Sequence, residues 1–316
     1  MEYVIETKNL SKKFKTKLAA NNVNMHIEKG SIYGFIGKNG AGKTTVMKLI
    51  LGLLRPSAGE ITINGSDELN KERAKIGSLI EDPGIYKNCT AFENMKRYAI
   101  LFNTSDEEIR ELLKLVELDK TGKKVAGQFS LGMKQRLGIA ISMLGHPEIL
   151  ILDEPINGLD PQGIVEIREL LIKLNQERGT TIIISSHILT ELSKLATEYA
   201  FIENGRIVEE LSREELENNS RGKLVIKCED ANAASKVLKD NGFSDFEIAD
   251  NETIFVYDKA DVGPVMNMKI CQAGIMVKSF NYEVADLEEY FLKIIKGIHK
   301  KGSNPEASAA SGKEVV

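Results

Sequence analysis

Eight consecutive residues limit what this chain can fold into more than any other stretch. Gly37, Lys38, Asn39, Gly40, Ala41, Gly42, Lys43 and Thr44 follow the pattern Gly-x-x-x-x-Gly-Lys-Thr, which needs a strand before it and a helix after it. Both flanks fit. Residues 31–36 are a short apolar run, and Val46, Leu49, Ile50 and Leu53 recur at helical spacing. Glycines at 37, 40 and 42 let backbone N–H groups curl around phosphate oxygens with no Cβ in the way. A helix opening near Lys43 turns its positive end toward the same anion. Lys43 brings an ammonium to the β- and γ-phosphates of a nucleotide, Thr44 offers a hydroxyl to Mg2+, and Thr45 belongs to the same turn.

A second run, residues 149–152, is apolar on both faces and ends in Asp153 and Glu154. A third, residues 181–185, has the same character. Such runs predict central strands of a mostly parallel sheet covered by helices, an α/β fold extending to about residue 210. Ligands of open α/β sheets bind beyond the strands' carboxyl ends. Asp153 can hold Mg2+ there, directly or through water, and Glu154 is a candidate general base for an attacking water. Residues 91–118 read as mainly helical, with a helix entry at 104–108 followed by Ile109, Leu112, Leu113 and Val116.

Between the two nucleotide motifs lies Phe129-Ser130-Leu131-Gly132-Met133-Lys134-Gln135-Arg136. With this segment the chain resembles the ABC ATPase family. The resemblance implies a P-loop NTPase fold: a RecA-like core with helical and antiparallel β subdomains, occupying residues 1–215. It implies ATP and Mg2+ as ligands, and ATP hydrolysis. Ser130, Leu131, Gly132 and Met133 match the family's signature turn, which contacts the γ-phosphate bound by a second subunit in a head-to-tail dimer, either a homodimer or a pair with another ATP-binding subunit. Residues 155–160 resemble the D-loop, placing Asp160 at the dimer seam. His187, after Ser185 and Ser186, matches the histidine that contacts the γ-phosphate and orients water. Phe14 stands where the family has an aromatic that stacks on adenine. Two segments depart from the pattern. In the signature turn, Phe129 stands where the family usually has leucine. Leu131 replaces a glycine, although Ser130 and Gly132 are retained and a dimer is still expected. Glu81 replaces the Q-loop glutamine. It is either a further hard ligand for Mg2+ or a solvent-facing loop residue.

The motifs occur once, and the stretch between Thr44 and Ser130 has no room for a long coiled coil. That argues against the chromosome-maintenance and tandem translation-factor branches. The segments at 76–84, 91–94 and 129–136 resemble the bacitracin-export and lantibiotic-immunity group. The group implies a separate integral-membrane permease as partner and a place on the cytoplasmic face of the membrane. The alternative is a soluble ABC-type ATPase acting as a regulatory or assembly factor. No apolar run approaches the ~20 residues of a membrane span. A net charge of -4 speaks against nucleic acid. Cys89, Cys228 and Cys271 show no metal or disulfide spacing.

Residues 221–298 read as an accessory α+β domain of order β-α-β-β-α-β-α, of ferredoxin-like type. Its expected strands are 224–228, 247–249, 253–257 and 275–280. Its helices are 231–241, 262–273 and 284–295. Residues 302–316, rich in Ser, Ala and Gly, read as a disordered tail.

Overall fold

The apolar run ahead of the phosphate loop is a strand buried at every residue, β3 (Ile32–Ile36). Before it come two long strands, β1 (Tyr3–Phe14) and β2 (Lys17–Glu28). After it come α1 (Lys43–Ile50), β4 (Ala58–Ile63), α2 (Leu69–Arg73) and β5 (Ile76–Leu79). A helical stretch follows: α3 (Ala91–Phe102), α4 (Asp106–Leu115) and α5 (Leu131–Ser142). Then β6 (Ile149–Asp153), α6 (Pro161–Arg178), β7 (Thr181–Ser186), α7 (Leu189–Leu192), β8 (Glu198–Glu203) and β9 (Arg206–Ser212) complete this part of the chain, and α8 (Arg213–Asn219) leads out of it. The structure is a computed structural model that describes residues 2–219, 222–257 and 262–283 with Tyr290, Phe291 and Ile294. Two compact units divide after Arg213.

The first unit is organised by a six-stranded sheet of order β5-β6-β7-β3-β8-β9, parallel except at the β9 edge. The three runs picked out in the sequence are its neighbouring strands β6, β7 and β3, each fully buried. Double-sided burial explains their unbroken isoleucine and leucine content. A separate antiparallel sheet, β2-β1-β4, supplies Ile5, Leu10, Val23, Met25 and Ile27 to a core shared with Val46, Met47, Leu49 and Ile50 of α1. Each of these side chains contributes roughly 1.5–3 kcal/mol by leaving water. That core anchors α1, and through it the phosphate loop.

The helical stretch is punctuated as its sequence requires. Thr90 and Ser105 each form a capping box, with Glu93 and Glu108. The second opens α4, inside the expected entry at 104–108, and buries Ile109, Leu112 and Leu113.

At the opposite edge of the sheet from the phosphate loop, Glu198 pairs in register with Tyr33. Burial lifts its carboxyl to about 7, reinforced by the charges of Glu28 and Glu210 and partly offset by hydrogen bonds from Glu28 and Ser31. A carboxyl whose folded pKa exceeds its unfolded value binds extra protons in the native state between roughly pH 4.5 and 7. Stability therefore falls as pH rises through that window. Glu198→Gln is expected to stabilise the protein by about 1 kcal/mol at pH 8, a figure reduced for the carboxyl's partial exposure. Near pH 4.5 the gain disappears. Urea unfolding at both pH values checks this, and an equal difference at the two would refute it.

The second unit contains β10 (Lys223–Cys228), α9 (Ala231–Asp240), β11 (Phe246–Ile248), β12 (Thr253–Val256), α10 (Gly263–Gln272) and β13 (Val277–Glu283). Its antiparallel sheet has the order β11-β12-β10-β13, the split β-α-β arrangement. Leu224, Ile226, Ile254 and Val256 face Ala234, Leu238, Met266 and Ile270 of the helices. The strand expected at 275–280 starts at Val277 instead. Gly274, at φ +80, donates its N–H to Cys271 O, and Ile275 donates to Ile270 O, so these residues close α10 rather than extend. The expected helix at 284–295, apart from Tyr290, Phe291 and Ile294, and the expected tail at 302–316 lie outside the described residues.

Candidate nucleotide-binding site

Strand order decides which side chains meet. Because β3 and β6 both flank β7, the register sets Ile36 beside Ser186 and Asp153 beside Ser185. The three strand ends therefore deliver Gly37, Asp153, Glu154 and His187 to one edge of the sheet.

The phosphate loop is held close to its surroundings. Gly37 donates its N–H to Ser186 O at 3.3 Å, and Ala41 donates to Lys38 O at 3.0 Å. A Cβ on Gly37 would stand 2.5 Å from Ile202 O. One on Gly42, at φ +117, would stand 2.5 Å from Ala19 O. Any side chain at either position would displace backbone. Gly42 is the N-cap of α1, and Lys43, Thr44 and Thr45 form its first turn. Their N–H groups have no intrahelical acceptor and point toward the mouth of the loop. An anion there meets aligned donors and the positive helix end together.

Around this loop the side chains form one connected set. Thr44 Oγ1 donates to Asp153 Oδ2 at 2.7 Å. Ser185 Oγ donates to Asp153 Oδ1 at 2.6 Å and accepts from Glu154 N at 2.9 Å. His187 Nδ1 lies 2.9 Å from Glu154 Oε2. Lys43, only 5% exposed, donates to Gly37 O at 2.5 Å and approaches Glu154 Oε1 at 3.0 Å. That carboxylate oxygen is buried and accepts no aligned hydrogen bond, so the Lys43–Glu154 contact is charge pairing alone. A buried acceptor of this kind suits a group that must receive a proton from water. The Thr44 hydroxyl and Asp153 carboxylate are hard oxygen donors at one point, and they fit a Mg2+ ion shared with phosphates. Among the described residues no three acidic, His or Cys side chains converge to hold a metal unaided.

Comparison with known proteins agrees with this geometry. The family profile described as ABC transporter matches residues 20–157. The bacitracin transport ATP-binding protein of Enterococcus faecalis is 42% identical over 302 residues, 94% of this chain and 98% of that protein. This chain belongs to the ABC transporter ATP-binding proteins. The lantibiotic transport ATP-binding protein SrtF of Streptococcus pyogenes is 46% identical over 215 residues, covering 68% of this chain and 93% of that protein. A dimeric ATP-binding cassette solved in a post-hydrolysis state with ADP and Pi is 28% identical, with a TM-score of 0.60, over 66% of this chain and 98% of that one. The chain is therefore an ABC ATPase that binds and hydrolyses ATP.

The remaining motif positions of this ABC ATPase are placed as follows. Ser130 is the N-cap of α5, its hydroxyl accepting from Met133 N at 3.2 Å. Phe129, at a position usually leucine, is buried. Leu131 and Gly132 open the helix, with Leu131 exposed. Asp160 caps α6 by accepting from Gly163 N at 3.1 Å. Phe14 ends β1 half-exposed, with Lys12 Nζ 5.2 Å from its ring centroid.

Glu81 is not gathered onto Thr44 and Asp153. Its carboxylate pairs at 2.6 Å with Lys48, one turn along α1 from Thr44, and is two-thirds exposed. Its backbone is left-handed at φ 60. Lys48 was not singled out in the sequence, and neither was the bridging role of Ser185. The only sequence signal for Ser185 is a hydroxyl ending an otherwise apolar strand.

Proposed function

We propose that this ABC ATPase powers a separate integral-membrane permease that exports a peptide antibiotic or similar amphiphile, or protects the cell from one. The observation that carries the reading is the end-to-end likeness to the bacitracin transport ATP-binding protein. That likeness takes in the C-terminal unit, whereas the lantibiotic relative matches 68% of this chain. Among the described residues no helix is long and apolar enough to cross a membrane. In this reading the permease spans the bilayer and the ATPase sits against its inner face.

Two copies, or this chain and a second ATP-binding subunit, pair head to tail. Ser130, Leu131, Gly132 and Met133 of one complete the phosphate site of the other, with Asp160 near the seam. Adenine stacks on Phe14. Lys43 and the first-turn N–H groups of α1 hold the phosphates. Thr44 and Asp153 would hold Mg2+, which would supply positive charge to the transferring phosphoryl group. Glu81 reaches that ion only by leaving Lys48. Glu154 takes the proton of the attacking water while His187 holds the carboxylate in place. The new O–P bond forms as the bond to the β,γ-bridging oxygen breaks, giving ADP and phosphate.

Purification of the tagged chain from detergent-solubilised membranes of its own host tests this. The expected result is one multi-span membrane protein in equal amount, and an ATPase rate raised by bacitracin or a lantibiotic. Recovery of soluble partners alone would favour a regulatory or assembly factor.

A further inference from the structure

We propose that Leu131 locks the signature turn to the D-loop of its own subunit, so that Glu154 of one composite site and the turn serving the other move as one body. The inference rests on the head-to-tail pairing proposed above.

Leu131 is the first residue of α5 and is 47% exposed. A helix start gains nothing from an apolar side chain in water, so its neighbours matter. A Cβ built on Gly158 would stand 3.2 Å from Leu131 Cδ2. One built on Gly132 would stand 3.8 Å from Leu159 Cδ2. The two segments interlock, each leucine lying over the other segment's glycine. Gly158, at φ +74, takes a conformation that keeps its surface bare for this contact.

The D-loop is tied in turn to the backbone of Glu154, the residue that carries the carboxylate. Asn157 donates its N–H to Glu154 O at 3.1 Å, and Leu159 donates to Ile156 O at 3.4 Å. Asp160 fixes the far end on α6. From Glu154 to the signature turn the path is therefore backbone, two hydrogen-bonded turns and two apolar contacts. Contacts packed this closely transmit displacement because they have little void to absorb it. With glycine at 131 the closer of the two contacts is missing, and only Leu159 over Gly132 joins each signature turn to its own D-loop.

The test uses the full chain. In the Glu154→Gln background, ATP-driven dimerisation is followed by light scattering against ATP concentration. Gly158→Ala adds a backbone strain common to both backgrounds, because Gly158 sits at φ +74, and a steric term from Leu131, 3.2 Å from the new methyl; with Leu131 present the two together should raise the ATP needed by roughly tenfold. In a Leu131→Gly background the same change should cost less than about threefold. In the hydrolytically active protein, the Hill coefficient for ATP should fall from about 2 toward 1 on Leu131→Gly. A Gly158→Ala effect equal in both backgrounds, or an unchanged Hill coefficient, would overturn the coupling while leaving the dimer intact. If Glu154→Gln alone forms no dimer with ATP, the composite site is refuted and the coupling with it.

Discussion

Glu154→Gln is expected to bind ATP at least as tightly as the parent protein while its turnover falls by about a thousandfold. The amide is nearly isosteric, so it can remain within reach of His187 Nδ1, now 2.9 Å from Oε2. What it cannot do is accept the proton that the attacking water must lose. The carboxylate oxygen facing Lys43 accepts no aligned hydrogen bond in the folded protein, so charge pairing with the ammonium 3.0 Å away is what holds the carboxylate there. Removing its charge also removes a repulsion beside the phosphates, which is why binding should hold or improve. Phosphate release measured alongside retention of labelled ATP separates the two effects. Hydrolysis within tenfold of the parent rate would assign the proton transfer to another group.

Lys43→Ala should lose the opposite half of the function. We expect ATP affinity to drop by at least about a hundredfold, read by fluorescence of a labelled nucleotide. Two charges depend on this ammonium. The incoming phosphates lose their fixed counter-charge, and Glu154, 19% exposed at its side chain, loses the cation 3.0 Å away. Removing one partner of a buried pair is more damaging than replacing both, because the remaining charge stays desolvated. The loop itself should survive, since Gly37 remains pinned to Ser186 by a backbone bond. A circular dichroism melt near that of the parent therefore accompanies the expected loss of binding. Affinity within threefold of the parent would remove Lys43 from the phosphate site.

The local parts of this architecture could be read from the chain directly. Three apolar runs became the adjacent strands β6, β7 and β3, because a strand covered on both faces has to be apolar throughout. Gly37, Gly42 and Lys43 announced a phosphate loop because their spacing has few other uses. What stayed hidden depends on which strands lie side by side. Ser185 joins Asp153 to Glu154 only because β7 lies next to β6. Nothing in either segment alone states that neighbourhood. The partner of Glu81 was hidden for the same reason: Lys48 lies on a different element and meets it through the packing of α1. Leu131 stood out as an unusual residue, but its neighbour Gly158 is visible only in three dimensions. In the second unit, the start of β13 was misplaced because Gly274 and Ile275 finish a helix before the strand begins.

Glu154 has a left-handed backbone, φ 51, in the position immediately after a buried strand. Glutamate tolerates that conformation poorly, whereas glycine or asparagine adopts it with ease. The backbone at this position thus favours another residue, and the glutamate is held there against that preference with its charge set between Lys43 and His187. Stability selection alone would let this position drift toward an inert cassette that folds well. Only a continuing demand for turnover keeps a glutamate there, so the identity of this one residue reports whether such a subunit is still used as a motor.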